Sequence, residues 1–270
     1  MESSELRLPT PAMDTLDVAG TRVWYGRSGT GHPIVLLHGW GASSATMALV
    51  HDDLARQYDV TAIDLPGHGR SELPPQAWGT ADYTACLLDV MRRLGIEHPH
   101  LIGHSFGGRI ALDLAARYPE RVAKLVLVSS AGLVPQRSVG YYLRTAVART
   151  GRVFGRFGSR GRALKTRLYS KVASPDYAQA GPMRPTFVKV VTEDLAPLLP
   201  AIQAPTLLIW GDRDTETPPA VGRRMARLIP TASMTLIEGA GHYPFLDQFG
   251  KFRLIVRRFL RDDPGMDDLP

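Results

Sequence analysis

Short apolar runs recur along the chain, separated by segments whose apolar residues repeat at helical spacing. The runs cover residues 21–26, 33–37, 58–64, 100–103, 124–129, 205–210 and 233–237, and the later ones are rich in Val, Ile and Leu without strict alternation. That pattern predicts strands buried on both faces. Between them, residues 83–94 put Leu87, Leu88, Met91 and Leu94 on one face and Asp89, Arg92 and Arg93 elsewhere, with Gly95 as a stop signal. Residues 106–118 are small and apolar and precede Pro119, and 252–260 reads as a terminal amphipathic helix. Alternation of this kind predicts an α/β fold with a mainly parallel, doubly wound sheet and helices on both faces.

The rhythm breaks between Leu133 and Ala204. This stretch is dense in Arg, Gly and aromatic residues. Tyr141, Tyr142, Leu143 and Val147 suggest helix, and Gly151, Gly155, Gly158 and Gly161 suggest interruptions. It reads as a helical insertion, residues 133–204, between two parts of one core, 1–132 and 205–270. The residues from Asp262 to Pro270 read as a frayed acidic tail.

Composition narrows the classes. Of 270 residues, 44% are hydrophobic and 21% charged, which excludes disorder and fibrous repeats. The one cysteine, Cys86, rules out an intramolecular disulfide and argues against a cysteine-based metal cluster; it falls on the apolar side of a predicted helix. Met1–Glu5 lacks a basic region before an apolar stretch, and no apolar run nears the ~18 residues of a membrane span. The expectation is a reduced, soluble, cytoplasmic protein without a transmembrane segment. Net charge is +6, but residues 121–175 alone carry twelve Lys or Arg and no Asp or Glu, leaving −6 for the rest. The basic excess is therefore local to the insertion and the strand before it.

Gly103-His104-Ser105-Phe106-Gly107 lies between a strand-like run and a helix-like run. A serine on such a sharp turn needs small neighbours, and the helix start beneath it favours developing negative charge. A serine hydroxyl also needs a base and a group that orients the base. His242, in Gly241-His242-Tyr243-Pro244, is the candidate base. Asp214, in Gly211-Asp212-Arg213-Asp214, is the candidate acid. Each follows a predicted strand, and the order Ser105, Asp214, His242 suits this kind of sheet. Backbone N–H groups of Trp40, in His38-Gly39-Trp40-Gly41, and of Phe106 are the candidate oxyanion donors.

These motifs, with Asp64-Leu65-Pro66-Gly67-His68-Gly69-Arg70-Ser71, resemble the α/β-hydrolase superfamily over roughly residues 15 to 260. The resemblance implies that the insertion is a cap over the nucleophile, whose Phe154, Phe157, Leu164, Leu168, Tyr169 and Phe187 are candidate pocket walls. It implies Asp214 as the acid, with Asp212 the runner-up. It implies no catalytic role for His68 or His104, and a loop-shaping role for the Asp64–Ser71 segment. Serine at the elbow separates the chain from members with an aspartate nucleophile. No metal and no cofactor are implied.

The expected activity is hydrolysis of a carboxylic ester by a serine esterase. Alternatives are carbon–carbon bond hydrolysis of a vinylogous diketone, cleavage of a carrier- or coenzyme A-linked acyl group, and a hydrolase-fold receptor with little turnover. The His38–Gly41 loop is similar to that of the pimeloyl-carrier methyl esterases. The basic stretch reads as a solvated face, or as a contact for an anionic substrate, an acidic carrier or anionic lipid at a membrane surface. Nucleic acid is not the expected partner.

Overall fold

The computed structural model describes residues 12–134 and 179–261. Most of the predicted cap lies outside them, including Phe154, Phe157, Leu164, Leu168 and Tyr169, as do most of the basic stretch and the acidic tail. Eight strands form one sheet: β1 Met13–Val18, β2 Thr21–Ser28, β3 Pro33–Leu37, β4 Asp59–Ile63, β5 His100–His104, β6 Lys124–Val128, β7 Thr206–Gly211 and β8 Ala232–Ile237. Their order is β1-β2-β4-β3-β5-β6-β7-β8. β1, β2 and β4 pair antiparallel, and every pairing from β4 to β8 is parallel. The sheet is thus mainly parallel, as the run pattern predicts. β1, absent from the sequence expectation, is a half-exposed edge strand with too little continuous apolar character to stand out.

Residue alternation divides the interior into two cores. Val35, Leu37, Leu101, Leu125, Leu127, Leu208 and Trp210 face one side, under helices α2 (Thr80–Arg93) and α3 (Phe106–Arg117). Ile34, Leu36, Ile102, Val126, Val128, Leu207 and Ile209 face the other, under α1 (Ala48–Leu54) and the carboxyl-terminal helix Phe249–Arg261. Central strands β5, β6 and β7 are buried at every position, because helices cover both faces. β8 departs from the expectation: it is the other edge, and Leu236 is exposed. An amphipathic helix, Pro219–Leu228, connects β7 to β8 and packs Met225 inward.

Of the predicted insertion, the described part holds a short turn at Gly181–Met183 and a helix, α4 (Arg184–Thr192). Its Phe187 and Val190 are buried, while Val188 and Val191 are exposed. The chain leaves and re-enters the core side by side. Leu195 N–H donates to Gly132 O at 2.9 Å, and Val134 N–H to Asp194 Oδ1 at 3.3 Å. Arg224 donates to Val134 O at 3.0 Å.

Chain order reverses at β3: β4 lies on one side of it and β5 on the other. In open parallel sheets that reversal opens a crevice at the carboxyl ends of the strands. The loop after β3 carries Trp40, and the turn after β5 carries Ser105.

Candidate active site

Ser105 occupies the single residue between β5 and α3, with φ 49° and ψ −109°. That conformation is strained for a residue with a Cβ, and it persists only where its surroundings hold it. Ser105 N–H donates to Val128 O at 3.0 Å, and Ser105 O accepts from Arg109 N–H at 3.1 Å and Ala131 N–H at 3.0 Å. The flanking glycines are required by packing. A Cβ on Gly107 would lie 2.7 Å from His38 O and closer still to Leu37 O, both backbone atoms that cannot swing away. Gly107 N–H also donates to His38 O at 3.0 Å, which fixes the elbow against the Trp40 loop. Gly107→Ala is expected to destabilise the fold by about 2 kcal/mol or more. A lower denaturant midpoint at unchanged slope checks this, and an unmoved midpoint contradicts it.

Phe106 is the first residue of α3, so its N–H has no acceptor within the helix and sits at the positive end of the helix dipole. Trp40 stands beside it, with ring centroids 5.2 Å apart and edge-on. The Trp40 indole is also edge-on to His68 at 4.7 Å and to Phe187 of α4 at 5.0 Å. Phe187, a predicted wall residue, is thereby placed against the candidate site; the other predicted wall residues are not described.

Asp214 and His242 come together although 28 residues separate them. His242 Nδ1 donates to Asp214 Oδ2 at 3.0 Å, and both residues are buried. Asp214 Oδ1 accepts the N–H groups of Glu216 (2.9 Å) and Thr217 (3.0 Å). Burial works to raise the Asp214 pKa, but the hydrogen bond and charge of His242 and the Thr217 N–H outweigh it. The carboxyl is held below the usual carboxylate range. Asp212, the runner-up, instead accepts Gly239 N–H at 2.8 Å and braces the β8 loop.

Thr217 is a residue that the sequence reading did not single out. Its Oγ1 lies 2.9 Å from Asp214 Oδ2, 2.9 Å from Ser129 O and 3.3 Å from His242 Nδ1. It ties the acid to the end of β6. The available signal was its place directly before Pro218, three residues after Asp214. Glu216 was also missed: its carboxylate lies 3.6 Å from His242 Nε2.

His104, His38 and His68 are each held by hydrogen bonds to the backbone. His104 Nε2 donates to His242 O at 2.9 Å, and the two rings lie 4.8 Å apart. Burial, with His242 next to it, pushes the His104 pKa down to about 3, so it is a neutral prop under the His242 loop. This contact also sets the residue preceding Ser105 against His242. His38 donates from Nδ1 to Gly39 O at 2.7 Å and accepts Leu65 N–H at Nε2 at 3.0 Å. Burial holds its pKa down at about 4. Asp64 accepts Ser44 N–H at 2.7 Å and Arg70 N–H at 2.9 Å, so it joins the loops after β3 and β4. His68 donates from Nδ1 to Pro66 O at 3.1 Å.

Among the described residues, no hydrogen bond joins Ser105 Oγ to His242 Nε2. The described residues contain no cluster of three or more His, Cys, Asp or Glu that could hold a metal ion. No helix among them is long and apolar enough to cross a membrane. Cys86 is buried, and burial pushes its thiol pKa up to about 12.

Known proteins resemble the chain over most of its length. A 2-hydroxy-6-oxononadienedioate/2-hydroxy-6-oxononatrienedioate hydrolase of Burkholderia vietnamiensis is 32% identical over 268 residues, covering 89% of this chain and 91% of that protein. A pimeloyl-(acyl-carrier protein) methyl ester esterase of Neisseria meningitidis is 29% identical over 245 residues, covering 84% and 93%. The crystal structure of a membrane phospholipase A, described as a bacterial virulence factor, superposes with a TM-score of 0.72 at 28% identity, covering 92% of this chain and 85% of the other. The model of the alpha/beta hydrolase family matches residues 34–252, and with this sheet, elbow and loop arrangement the conclusion is direct: the chain belongs to that family.

Proposed function

We propose that the protein is a cofactor-independent serine hydrolase that cleaves a small-molecule carboxylic ester. The observation that carries this reading is the buried Asp214–His242 hydrogen bond, set beside the strained Ser105 turn through His104. Ser105 Oγ attacks the ester carbonyl while His242 Nε2 takes its proton. The N–H groups of Trp40 and Phe106 hold the negative charge that develops on the carbonyl oxygen. As the tetrahedral centre collapses, the carbon–oxygen bond breaks and His242 gives its proton to the departing alcohol. Water, deprotonated by His242, then attacks the acyl-serine, releasing the acid and restoring the Ser105 hydroxyl. Asp214 keeps the proton on Nδ1, so that Nε2 is free to act as base, and offsets the positive charge of the imidazolium. We place the protein in the cytoplasm, since a single cysteine leaves no intramolecular disulfide and fits a reducing compartment.

A second reading has specific support. The Burkholderia relative carries the name of a hydrolase of 2-hydroxy-6-oxononadienedioate rather than of an ester, and the same serine chemistry would serve carbon–carbon cleavage of a vinylogous diketone. One panel separates the two: p-nitrophenyl esters from acetate to octanoate, and a meta-cleavage-type diketone. Ester turnover with kcat/KM well above that for the diketone is expected, and the best chain length would bound the pocket. Turnover of the diketone alone would overturn the ester reading.

A further inference from the structure

Glu216 belongs to the same turn as Asp214 and Thr217, and its own N–H is held by Asp214 Oδ1 at 2.9 Å. The turn therefore presents a carboxylate to each nitrogen of one imidazole: Asp214 to Nδ1 at 3.0 Å and Glu216 to Nε2 at 3.6 Å. The two carboxylates differ in setting. Asp214 is buried with its oxygens occupied, whereas the Glu216 side chain is 59% exposed. Nothing in the ester mechanism uses Glu216. Its position matters because Nε2 is the atom that hands a proton to the leaving group. During that transfer the leaving oxygen is within ~3 Å of Nε2, which keeps it within roughly 7 Å of the Glu216 carboxylate. Among the described residues, Glu216 forms no ion pair with a Lys or Arg, and its ion-pair partner is His242 itself.

We propose that Glu216 is a specificity-determining residue, and that its carboxylate selects esters whose leaving alcohol is uncharged or cationic and rejects those whose leaving alcohol is anionic. The inference rests on the ester reading, because it places the leaving group at Nε2. An anionic leaving group would have to approach this carboxylate across the imidazole that both share. An ammonium would gain the same interaction with opposite sign. Any negative charge on the substrate is thereby directed to the acyl side. A dicarboxylate with one acid on the departing fragment fits this site poorly.

The test uses three butyrate esters of matched shape: of choline (cationic), 3,3-dimethylbutanol (uncharged) and isethionate (anionic). kcat/KM is measured for the wild type, Glu216→Gln and Glu216→Lys at low ionic strength. The charge lies two carbons beyond the leaving oxygen, so at roughly 7–11 Å through a partly solvated path it changes kcat/KM by about two- to three-fold. The cation-to-anion ratio should therefore fall about fivefold in Glu216→Gln and further in Glu216→Lys. Each ratio is taken within one protein, so a general loss of activity in a variant does not move it. Ratios that agree within twofold across the three proteins would overturn the assignment while leaving the ester reading intact. A wild type that cleaves none of the three in a Ser105-dependent way would overturn the ester reading and this inference with it.

Discussion

Ser105→Ala is expected to lower kcat on any ester substrate by about 10⁴-fold or more, with little change in the melting transition. The size follows from chemistry. Alanine removes the only atom that forms the acyl intermediate, and what remains is the stabilisation offered by the Trp40 and Phe106 N–H groups to attack by water. The small stability effect follows from structure. The bonds that hold the elbow run through the Ser105 backbone to Val128, Arg109 and Ala131, and alanine keeps all of them. The backbone stays at φ 49°, a cost that both residues bear. Steady-state kinetics with a thermal melt on the same preparation checks both halves. Activity retained within tenfold would remove Ser105 from the chemistry.

Asp214→Asn should cost about 10⁴-fold in kcat while leaving substrate affinity nearly unchanged. Asp214 is an acceptor at both oxygens: Oδ1 for two backbone N–H groups, Oδ2 for His242 Nδ1–H. Asparagine has one acceptor and one donor. If its oxygen keeps the backbone bonds, its NH₂ faces His242, and Nδ1 must accept. The ring proton then moves to Nε2, which can no longer take a proton from serine. A pH signature accompanies this. The folded-state pKa of Asp214 lies below its ordinary value of 3.8, so its ionised form stabilises the fold. That contribution is fully present above 3.8 and is lost as pH falls through the lower, folded-state value. The stability gap between wild type and Asp214→Asn should close as pH falls through that value. Full activity in the variant would exclude Asp214 as the orienting acid; a gap that widens in acid would exclude the linkage.

The parts of this protein that sequence made legible share a physical cause. β6 and β7 are covered on both faces, so Leu125–Val128 and Leu207–Trp210 stand out as unbroken apolar runs. At the margins β1 was missed, and β8 was read at 233–237 but expected to be buried on both faces. β1 and β8 are half-exposed edges, and their residues carry only a weak alternation. Ser105 was legible because its turn constrains its neighbours: Gly107 has no room for a Cβ. Asp214 and His242 were legible only as members of an ordered set, since each alone is an ordinary residue after a strand. Thr217 and Glu216 were not legible. What makes them matter is a turn that folds back on Asp214, and the composition Asp-Thr-Glu-Thr-Pro does not announce that geometry. The predicted cap boundaries, 133–204, rest on the loss of strand rhythm, and 135–178 lie outside the described residues.

The central claim is that Ser105 is a nucleophile activated by His242. The most direct measurement is intact-mass analysis after exposure to a fluorophosphonate, which captures an activated serine. The wild type should gain the mass of a single adduct, mapped by peptide analysis to Ser105. His242→Ala should react far more slowly, and Ser105→Ala should gain nothing. Labelling that persists in Ser105→Ala, or a wild type that stays unmodified under conditions that label a control serine esterase, would contradict the account.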